Sequence, residues 1–185
     1  MIYKLINAPR TGKGVVMTAM NLMFVTSGLD GRKYKASELY VNYDLLIDGA
    51  GYEGVHFLRT RADVLKFLKQ MIDKEMSHIC VSIADCDQVL PPRWWQNKKQ
   101  TEALMAVWQE AKLMNTIMYD CHWGDVDKML RDNTDWVIIP EIDTFHDRLN
   151  AGIFSMKDRQ SGHVFEMVPR PSSVYRYFHS FNPTH

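Results

Sequence analysis

The sequence predicts an α/β fold in which helices cover a mainly parallel β-sheet. Short apolar runs of strand length, such as Ile2–Ile6, 79–84 and Thr116–Cys121, alternate with segments of helical spacing. Continuous apolar runs are typical of parallel strands buried on both faces, and strands that alternate with helices are typical of an α/β sheet. Because no linker, repeat or low-complexity tract interrupts the pattern, we expect one domain over residues 1–185.

The other elements follow from the same patterns in chain order. We expect helices at 15–26, 61–76, 101–114 and about 125–131, and further strands at 38–47 and 135–139. Helix 61–76 rests on apolar residues at helical spacing, namely Val64, Leu65, Leu68, Met71 and Ile72. The alternation of apolar and polar residues over 162–181 predicts a C-terminal hairpin.

Composition limits the classes of function. Basic and acidic residues balance at 22 each, so the whole-chain basic character of many nucleic-acid-binding proteins is missing. A ring of subunits can nevertheless concentrate local basic patches on one surface. Cys80, Cys86 and Cys121 lack the spacing of a disulfide framework or zinc site. Without a run of about 18 apolar residues or a signal-peptide pattern, we expect a soluble, intracellular protein.

The turn after the first strand carries a phosphate-binding pattern. The pattern G-x-x-x-x-G-K-[ST] is matched at Gly12 and Lys13, whereas Asn7 replaces its first Gly and Gly14 its Ser/Thr. In such loops, backbone N–H groups at a helix N-terminus bind phosphate oxygens, and the Lys neutralises the β and γ phosphates. The predicted nucleotide-binding residues are therefore Asn7, Ala8, Pro9, Arg10, Thr11, Gly12, Lys13, Gly14 and Val15.

The two departures from the pattern do not count equally against a phosphate-binding loop. Asn7 is a tolerable substitute because Asn adopts left-handed backbone conformations more readily than most residues. Gly14 is the serious departure, because it lacks the hydroxyl that normally ligates Mg²⁺. The alternative is that 9–14 is an ordinary strand-to-helix turn.

A second polar group follows the apolar run 79–84. Asp85, Cys86 and Asp87 come directly after it, and Arg93 follows two prolines. Nucleotide hydrolases place acids at the end of a neighbouring buried strand, where one Asp holds the Mg²⁺ shell and, in many families, an adjacent Glu polarises the attacking water. The alternative is that Asp85 and Asp87 only cap the next turn.

With these motifs the chain resembles the FtsK/HerA-like P-loop ATPases, in particular the viral genome-packaging and Zot-like assembly ATPases. That group often has Asp-Glu-Ala-Asp after the strand, then a Pro and an Arg. One register places Ala84 at the Mg²⁺-associated Asp and Asp85 at the Glu. A shift of one residue places Asp85 at the Asp and Cys86 at the Glu. Either register lacks one acid.

Further segments resemble the family in the same order along the chain. Asn42 lies in a segment similar to the Asn-bearing second strand of Zot-like proteins, and 117–122 resembles the sensor strand, with His122 where a Gln is usual. Segments 125–131 and 174–181 resemble the element that follows and the closing strand. The resemblance implies a three-layer P-loop NTPase sandwich with a mainly parallel central sheet and a C-terminal hairpin.

The resemblance also implies a catalytic set of Lys13, Asp85, His122 and Arg131. His122 would sense the γ-phosphate, and Arg131 or Arg93 would reach a neighbouring subunit as an arginine finger. The implied cofactors are ATP and Mg²⁺, with Asp85 as the metal residue, although Gly14 and Ala84 replace usual ligands. Without the resemblance, His122 reads as an ordinary polar residue, and Arg131 as an ion-pair partner of Asp127 or Asp132.

The function implied is that of an ATP-driven translocase of double-stranded DNA, self-associated into a ring, in the host cytoplasm or virion. Viral capsid or assembly proteins are implied as further partners. The aromatic and basic residues of 94–99 suit nucleic-acid contact. The alternative is a degenerate, non-hydrolysing nucleotide-binding protein in virus or phage assembly. A third hypothesis, a Zot-like membrane-associated assembly protein, is weakened by the missing membrane segment.

Overall fold

The computed structural model describes residues 1–8, 10–26, 38–45, 55–92, 98–122, 126–156, 163–169 and 174. The strands are β1 (Ile2–Ile6), β2 (Glu38–Val41), β3 (Val55–Phe57), β4 (Ile79–Ile83), β5 (Thr116–Cys121), β6 (Trp136–Asp143), β7 (Arg148–Ser155) and β8 (His163–Pro169). The helices are α1 (Lys13–Thr26), α2 (Arg61–Asp73), α3 (Cys86–Val89), α4 (Lys98–Leu113) and α5 (Lys128–Asp132). Up to β6, helices and strands alternate as the sequence predicts except that β2 and β3 are consecutive, as are α3 and α4. Strand β3 and helix α3 were not predicted, and the strand predicted over 38–47 ends at Val41.

The strands form one sheet with the order β3-β2-β4-β5-β1-β6-β7-β8. All neighbours from β3 to β6 pair in parallel, whereas β7 pairs antiparallel with both β6 and β8. The mainly parallel sheet is therefore confirmed. The strand that precedes the acidic group, β4, does not neighbour β1, because β5 lies between them. The expectation that the acids follow the strand next to β1 is therefore wrong for Asp85, which follows β4, the second strand from β1.

Helices cover the sheet on two faces, which confirms the three-layer arrangement. On one face α1 packs on β1, β2, β4, β5, β6 and β7, with Leu5, Val16, Val41, Met118 and Leu149 in the core. On the other face α2, α4 and α5 pack on Ile2, Val81, Ile83, Ile117 and Tyr119. Since side chains alternate along a strand, Asp120 is directed to the α1 face, like Met118.

Several element bounds differ from the predicted ones for local reasons. Helix α1 begins two residues earlier, at Lys13. Helix α2 begins after Thr60, whose side chain accepts from Asp63 N in a capping box, and ends at Asp73. Helix α4 begins at Lys98, three residues before the predicted start; the predicted loop ahead of it falls largely on 93–97, outside the described residues.

The C-terminal part is an antiparallel three-stranded unit. Strand β6 is longer than predicted because it pairs along its whole length with β7, which the sequence did not predict. Strand β8 lies in the segment predicted as a hairpin, but its partner is β7, as in the pair Leu149 with Val168. Except for Val174, the rest of the predicted hairpin lies outside the described residues.

Within the described ranges, no helix has both the length and the apolar character to cross a bilayer.

Candidate nucleotide-binding site

The predicted phosphate loop lies where β1 ends and α1 begins, and its own side chains hold its shape. Asn7 Nδ2 donates to the Pro140 carbonyl of β6 at 2.7 Å, and Asn7 Oδ1 accepts from Ala8 N at 2.7 Å. Thr11 Oγ1 donates to the Ala8 carbonyl at 2.8 Å. Pro9 lies outside the described residues. The loop is therefore tied both to itself and to β6.

The left-handed positions of the loop are Arg10, with φ 64°, and Gly12, with φ 95°. The explanation offered for Asn7 is therefore wrong, since Asn7 is not left-handed and instead uses its amide to bridge to β6. Gly12 has a second reason to be Gly. A Cβ there would overlap Leu149 Cδ1 and lie 3.5 Å from Ile142 Cβ. The β6–β7 hairpin thus packs directly against the loop.

Lys13 is the first residue of α1 and is only 5% exposed. Its Nζ donates to the carbonyls of Asn7 at 2.8 Å and Ala8 at 2.9 Å. An ammonium group has three donors, so these two bonds leave one N–H for an oxygen outside the loop. Gly14 follows within the helix, and Val15 is buried in the α1 core, so Val15 offers a ligand only its backbone. The structure thus concentrates one buried positive charge at the loop.

Asp85 and His122 come together from two different strands. Asp85 follows β4 in a left-handed conformation, with φ 49° and ψ 48°, and His122 follows β5. His122 Nδ1 lies 3.5 Å from Asp85 Oδ1, with both side chains partly exposed. Asp85 precedes α3 but its side chain makes no capping hydrogen bond there, so the simple capping explanation is wrong for Asp85.

Asp120, the next-to-last residue of β5, completes this group. Its Oδ1 accepts from the Asp85 backbone N–H at 2.5 Å, and the residue is 7% exposed. Burial raises the pKa of Asp120 to about 6. The hydrogen bond from Asp85 N and the charges of Lys13 and His122 oppose that rise, whereas the Asp85 carboxylate adds to it. Leu5 of β1 pairs with Asp120 of β5, so the acidic group lies at the end of the strand next to the one that leads into the loop.

Asp120 was not selected from the sequence, because only His122, which follows the apolar run of β5, occupies a position of the family pattern. One signal was available: an acid near the carboxyl end of an otherwise apolar buried strand. Its location beside the loop depends on the sheet order, in which β5 is the direct neighbour of β1. We name Asp85, Asp120 and His122 together the acidic cluster.

The two registers of the acidic motif place different residues at this edge. The side chain of Asn42 brackets Ala84, because Asn42 Nδ2 donates to Ala84 O at 2.9 Å and Asn42 Oδ1 accepts from Ala84 N at 2.6 Å. Cys86 is fully buried on the α2 face, and burial raises its pKa. A residue at position 86 is therefore directed into the core, which favours the register with Ala84 at the metal-associated position.

The remaining predicted residues lie elsewhere or are not described. Arg131 lies in the last turn of α5, just before the chain enters β6 at its amino end, whereas the loop lies at the carboxyl ends of the strands. Its Nε is 3.4 Å from Asp132 Oδ1, as in the ion-pair alternative. Arg93 and most of 94–99 fall outside the described residues, and Lys98 is highly exposed.

A buried polar network links α1 to the strand ends behind the site. Asn21, fully buried in α1, donates through Nδ2 to Tyr43 OH at 2.6 Å and accepts through Oδ1 from Ser82 Oγ at 2.6 Å. Burial raises the pKa of Tyr43, which keeps its hydroxyl protonated. These bonds fix the helix that carries Lys13 to β4, the strand that leads to Asp85.

The donor set does not fit the usual magnesium site. Gly14 and Ala84 have no side-chain donor, which leaves the carboxylates of Asp85 and Asp120. Among the residues that the structure describes, no group of three or more His, Cys, Asp or Glu side chains is placed to hold a metal ion. Mg²⁺ in phosphate sites is commonly held by one or two carboxylates together with the phosphates, so Asp85 and Asp120 are the groups that would hold it here. The hydroxyl and acid of the usual pair are missing here.

Comparison with known sequences gives no assignment: no protein-family model matches the chain, and no curated protein matches it. Comparison with solved structures does. The N-terminal domain of zonular occludens toxin from Neisseria meningitidis matches with a TM-score of 0.65 and 13% identity, over 96% of this chain and 98% of that one. Both proteins therefore share one fold over nearly their whole compared lengths.

Genome-packaging proteins of two Sulfolobus viruses are also similar. The packaging NTPase B204 of Sulfolobus turreted icosahedral virus 2, solved with ATP-gammaS, matches with a TM-score of 0.54 and 10% identity, over 91% of this chain and 97% of that one. The DNA-packaging ATPase B204 of Sulfolobus turreted icosahedral virus gives 0.56 and 12%, over 91% and 97%. The chain therefore has the P-loop NTPase fold of the Zot-like and viral genome-packaging proteins.

Proposed function

We propose that this protein is an ATP-driven DNA translocase of the genome-packaging kind, which hydrolyses ATP to move double-stranded DNA. The observation that carries the proposal is that the loop with Lys13 follows β1 while the acidic cluster lies at the ends of β4 and β5, at the same end of the sheet, where Leu5 of β1 pairs with Asp120 of β5. A cation at the N-terminus of a helix suits the phosphates, and acids on the next two strands of the sheet suit the terminal phosphate and its attacking water. The packaging NTPase with the same fold was solved with an ATP analogue.

Phosphate binding falls to the loop. The amides that begin α1 face the ligand, and Lys13 exchanges its bonds to the carbonyls of Asn7 and Ala8 for bonds to phosphate oxygens. A charge-assisted bond from an ammonium to a phosphate is stronger than one to a neutral carbonyl. Residues 7–15 are accordingly the proposed nucleotide site, with Pro9 included on sequence alone.

Hydrolysis falls to the acidic cluster. In the proposed step the oxygen of a water attacks the γ-phosphorus, the bond from that phosphorus to the oxygen that bridges to ADP breaks, and the water proton passes to Asp85 or His122. The partly exposed pair at 3.5 Å can hold and orient a water, and Asp120 fixes the backbone of Asp85 beside it. Since Gly14 and Ala84 lack the usual magnesium-ligating groups, no step of this mechanism is assigned to Mg²⁺.

Movement of DNA requires more than one subunit. We propose a ring in which Arg131, or Arg93, reaches the nucleotide of the neighbouring subunit. The location of Arg131 toward the amino ends of the strands supports a role in trans rather than at its own loop. The exposed Lys98 at the start of α4 and the aromatic segment before it are the proposed DNA contact, with viral capsid or assembly proteins as further partners.

The test is ATP turnover measured with and without double-stranded DNA, together with the molar mass in solution by light scattering. We expect a ring-sized species, turnover that DNA stimulates, and a loss of that stimulation in Arg131→Ala without a loss of ATP binding. Lys66→Ala, an exposed change on α2, serves as the matched control. A monomer whose turnover ignores DNA would contradict the translocase.

One observation favours a second function. Gly14 and Ala84 remove both side chains that position the metal, which suits a non-hydrolysing nucleotide-binding protein that acts in virus or phage assembly. Tight ATP binding with no phosphate release, with or without DNA, would select this alternative.

A further inference from the structure

The turn between β6 and β7, residues 144–147, projects from the same edge of the sheet as the phosphate loop. Strand β6 runs parallel to β1, so its carboxyl end and the end of β1 point the same way. The part of the hairpin next to the turn contacts the loop, because Leu149 and Ile142 border the space next to Gly12. Phe145 is three residues beyond Ile142, and even a fully extended chain of three residues spans only about 10 Å, comparable to the length of a nucleoside. The tip of the hairpin thus lies within a nucleoside's reach of the loop.

The order of the strands places the two ends of a bound nucleotide. Asp85 and His122 follow β4 and β5, on one side of β1, whereas β6 and β7 lie on its other side. If the terminal phosphate faces the acidic cluster, as the proposed function requires, the nucleoside extends from the loop in the opposite direction. That direction leads to the β6–β7 turn.

The turn has an ordered backbone and presents an aromatic side chain. Asp143 Oδ1 accepts from the backbone N–H groups of Phe145 at 3.0 Å and His146 at 3.1 Å, and Asp143 Oδ2 lies 2.6 Å from His146 Nδ1. The His146 ring meets the Phe145 ring edge-on, with centroids 4.7 Å apart. Phe145 is nevertheless 88% exposed. Single exposed apolar residues are common on protein surfaces, but this one is held in a fixed turn beside a phosphate loop.

We propose that Phe145 stacks on the base of the bound nucleotide and forms the base subsite of the loop. This inference rests on the proposed function, because it needs a nucleotide whose phosphates occupy the loop. Stacking on an aromatic ring accepts any base, so Phe145 contributes affinity for the nucleoside without strong selection among bases. In this arrangement the exposed ring of Phe145 covers the base on a side of the site that would otherwise face solvent.

The test is calorimetric titration of wild-type protein, Phe145→Ala and Phe145→Trp with ATP and with inorganic tripolyphosphate, which has no base. We expect Phe145→Ala to weaken ATP binding on the order of tenfold, to leave tripolyphosphate binding unchanged, and Phe145→Trp to restore ATP binding. Phe57→Ala, at the opposite edge of the sheet, is the matched control and should bind both ligands as wild type does.

The outcomes separate the two proposals. If Phe145→Ala binds ATP as tightly as wild type while tripolyphosphate still binds, the stacking inference is overturned and the proposed function stands. If Phe145→Ala weakens both ligands equally, the turn acts on the loop rather than on the base, which also overturns the inference. If wild-type protein binds neither ligand, the proposed function fails and the inference fails with it.

Discussion

The backbone N–H of Asp85 donates to the buried carboxylate of Asp120 at 2.5 Å. This bond joins the end of β4 to the end of β5 and holds Asp85 in its left-handed conformation, with the Asp85 side chain beside His122. Asp120, an acid within an otherwise apolar strand, thus positions Asp85, which the sequence predicts as part of the site together with His122. The charge on Asp120 is held in place by Lys13 and His122 but is disfavoured by burial.

The first prediction concerns the pH dependence of stability through Asp120. Burial raises its pKa from 3.8 in an exposed chain to about 6 in the folded protein, so the folded state binds more protons in that interval. Its contribution to the free energy of unfolding is therefore present at low pH and is lost as the pH rises from about 4 to 6. We expect Asp120→Asn to be more stabilising at pH 7 than at pH 4, by about 2 kcal/mol.

Urea unfolding at both pH values measures this difference. The control is Gln70→Ala on α2, which removes no titratable group and should therefore have the same effect at pH 4 and pH 7. An effect of Asp120→Asn that does not change with pH would contradict a buried carboxyl group whose pKa is raised.

The second prediction concerns Gly12. Gly12→Ala adds a Cβ that overlaps Leu149 Cδ1 and forces a left-handed backbone, with φ 95°, on an L-residue. We expect a loss of about 2 kcal/mol of unfolding free energy and a loss of ATP affinity, measured by urea unfolding and by titration.

The overlap and the backbone strain can be separated. The double variant Gly12→Ala with Leu149→Ala removes the overlap only. Relative to Leu149→Ala alone, we expect the cost of Gly12→Ala to fall without vanishing. A fully tolerated Gly12→Ala would show that the hairpin does not press on the loop.

The third prediction concerns the buried Asn21 network. Asn21→Ala leaves the hydroxyls of Tyr43 and Ser82 without their amide partner inside the core. We expect a loss of about 3 kcal/mol of unfolding free energy, measured by urea unfolding. In a double-mutant cycle, Tyr43→Phe should cost less in the Asn21→Ala background than in wild type. Strict additivity of the two changes would argue against the bond between them.

The fourth prediction concerns the missing hydroxyl at position 14. Gly14→Ser restores a metal-ligating group, and Gly14→Ala is its matched control, since both replace Gly within α1. We expect Mg²⁺ to tighten ATP binding severalfold more in Gly14→Ser than in Gly14→Ala or wild type, as measured by titration with and without Mg²⁺. Equal Mg²⁺ dependence in all three would show that Gly14 is not the reason for the altered metal site.

Several helices and strands could be predicted because their local sequence strongly favours one secondary structure. Ile2–Ile6 and Thr116–Cys121 are apolar runs of strand length with polar or turn residues beyond them, and both have the predicted bounds. Strand β7 was not predicted, and it contains Asn150 and Gly152, two residue types that are depleted in strands. Pairing with β6 and β8 decides its conformation instead.

The candidate site was predictable only in part. Gly12 and Lys13 have a fixed spacing that any sequence reader can find, and Asp85 and His122 follow strands whose ends meet. Asp120 could not be predicted as a site residue from its local sequence, because it belongs to the site only through the position of β5 between β1 and β4. No local pattern contains that order.

The central claim is that Lys13 binds the phosphates of a nucleotide that this protein hydrolyses. The most direct measurement is phosphate release from ATP by wild-type protein and by Lys13→Ala, with Lys66→Ala as the control for loss of a lysine elsewhere. The account predicts turnover in wild type and in Lys66→Ala, and turnover reduced by at least about 100-fold in Lys13→Ala. Equal turnover in wild type and Lys13→Ala would contradict it.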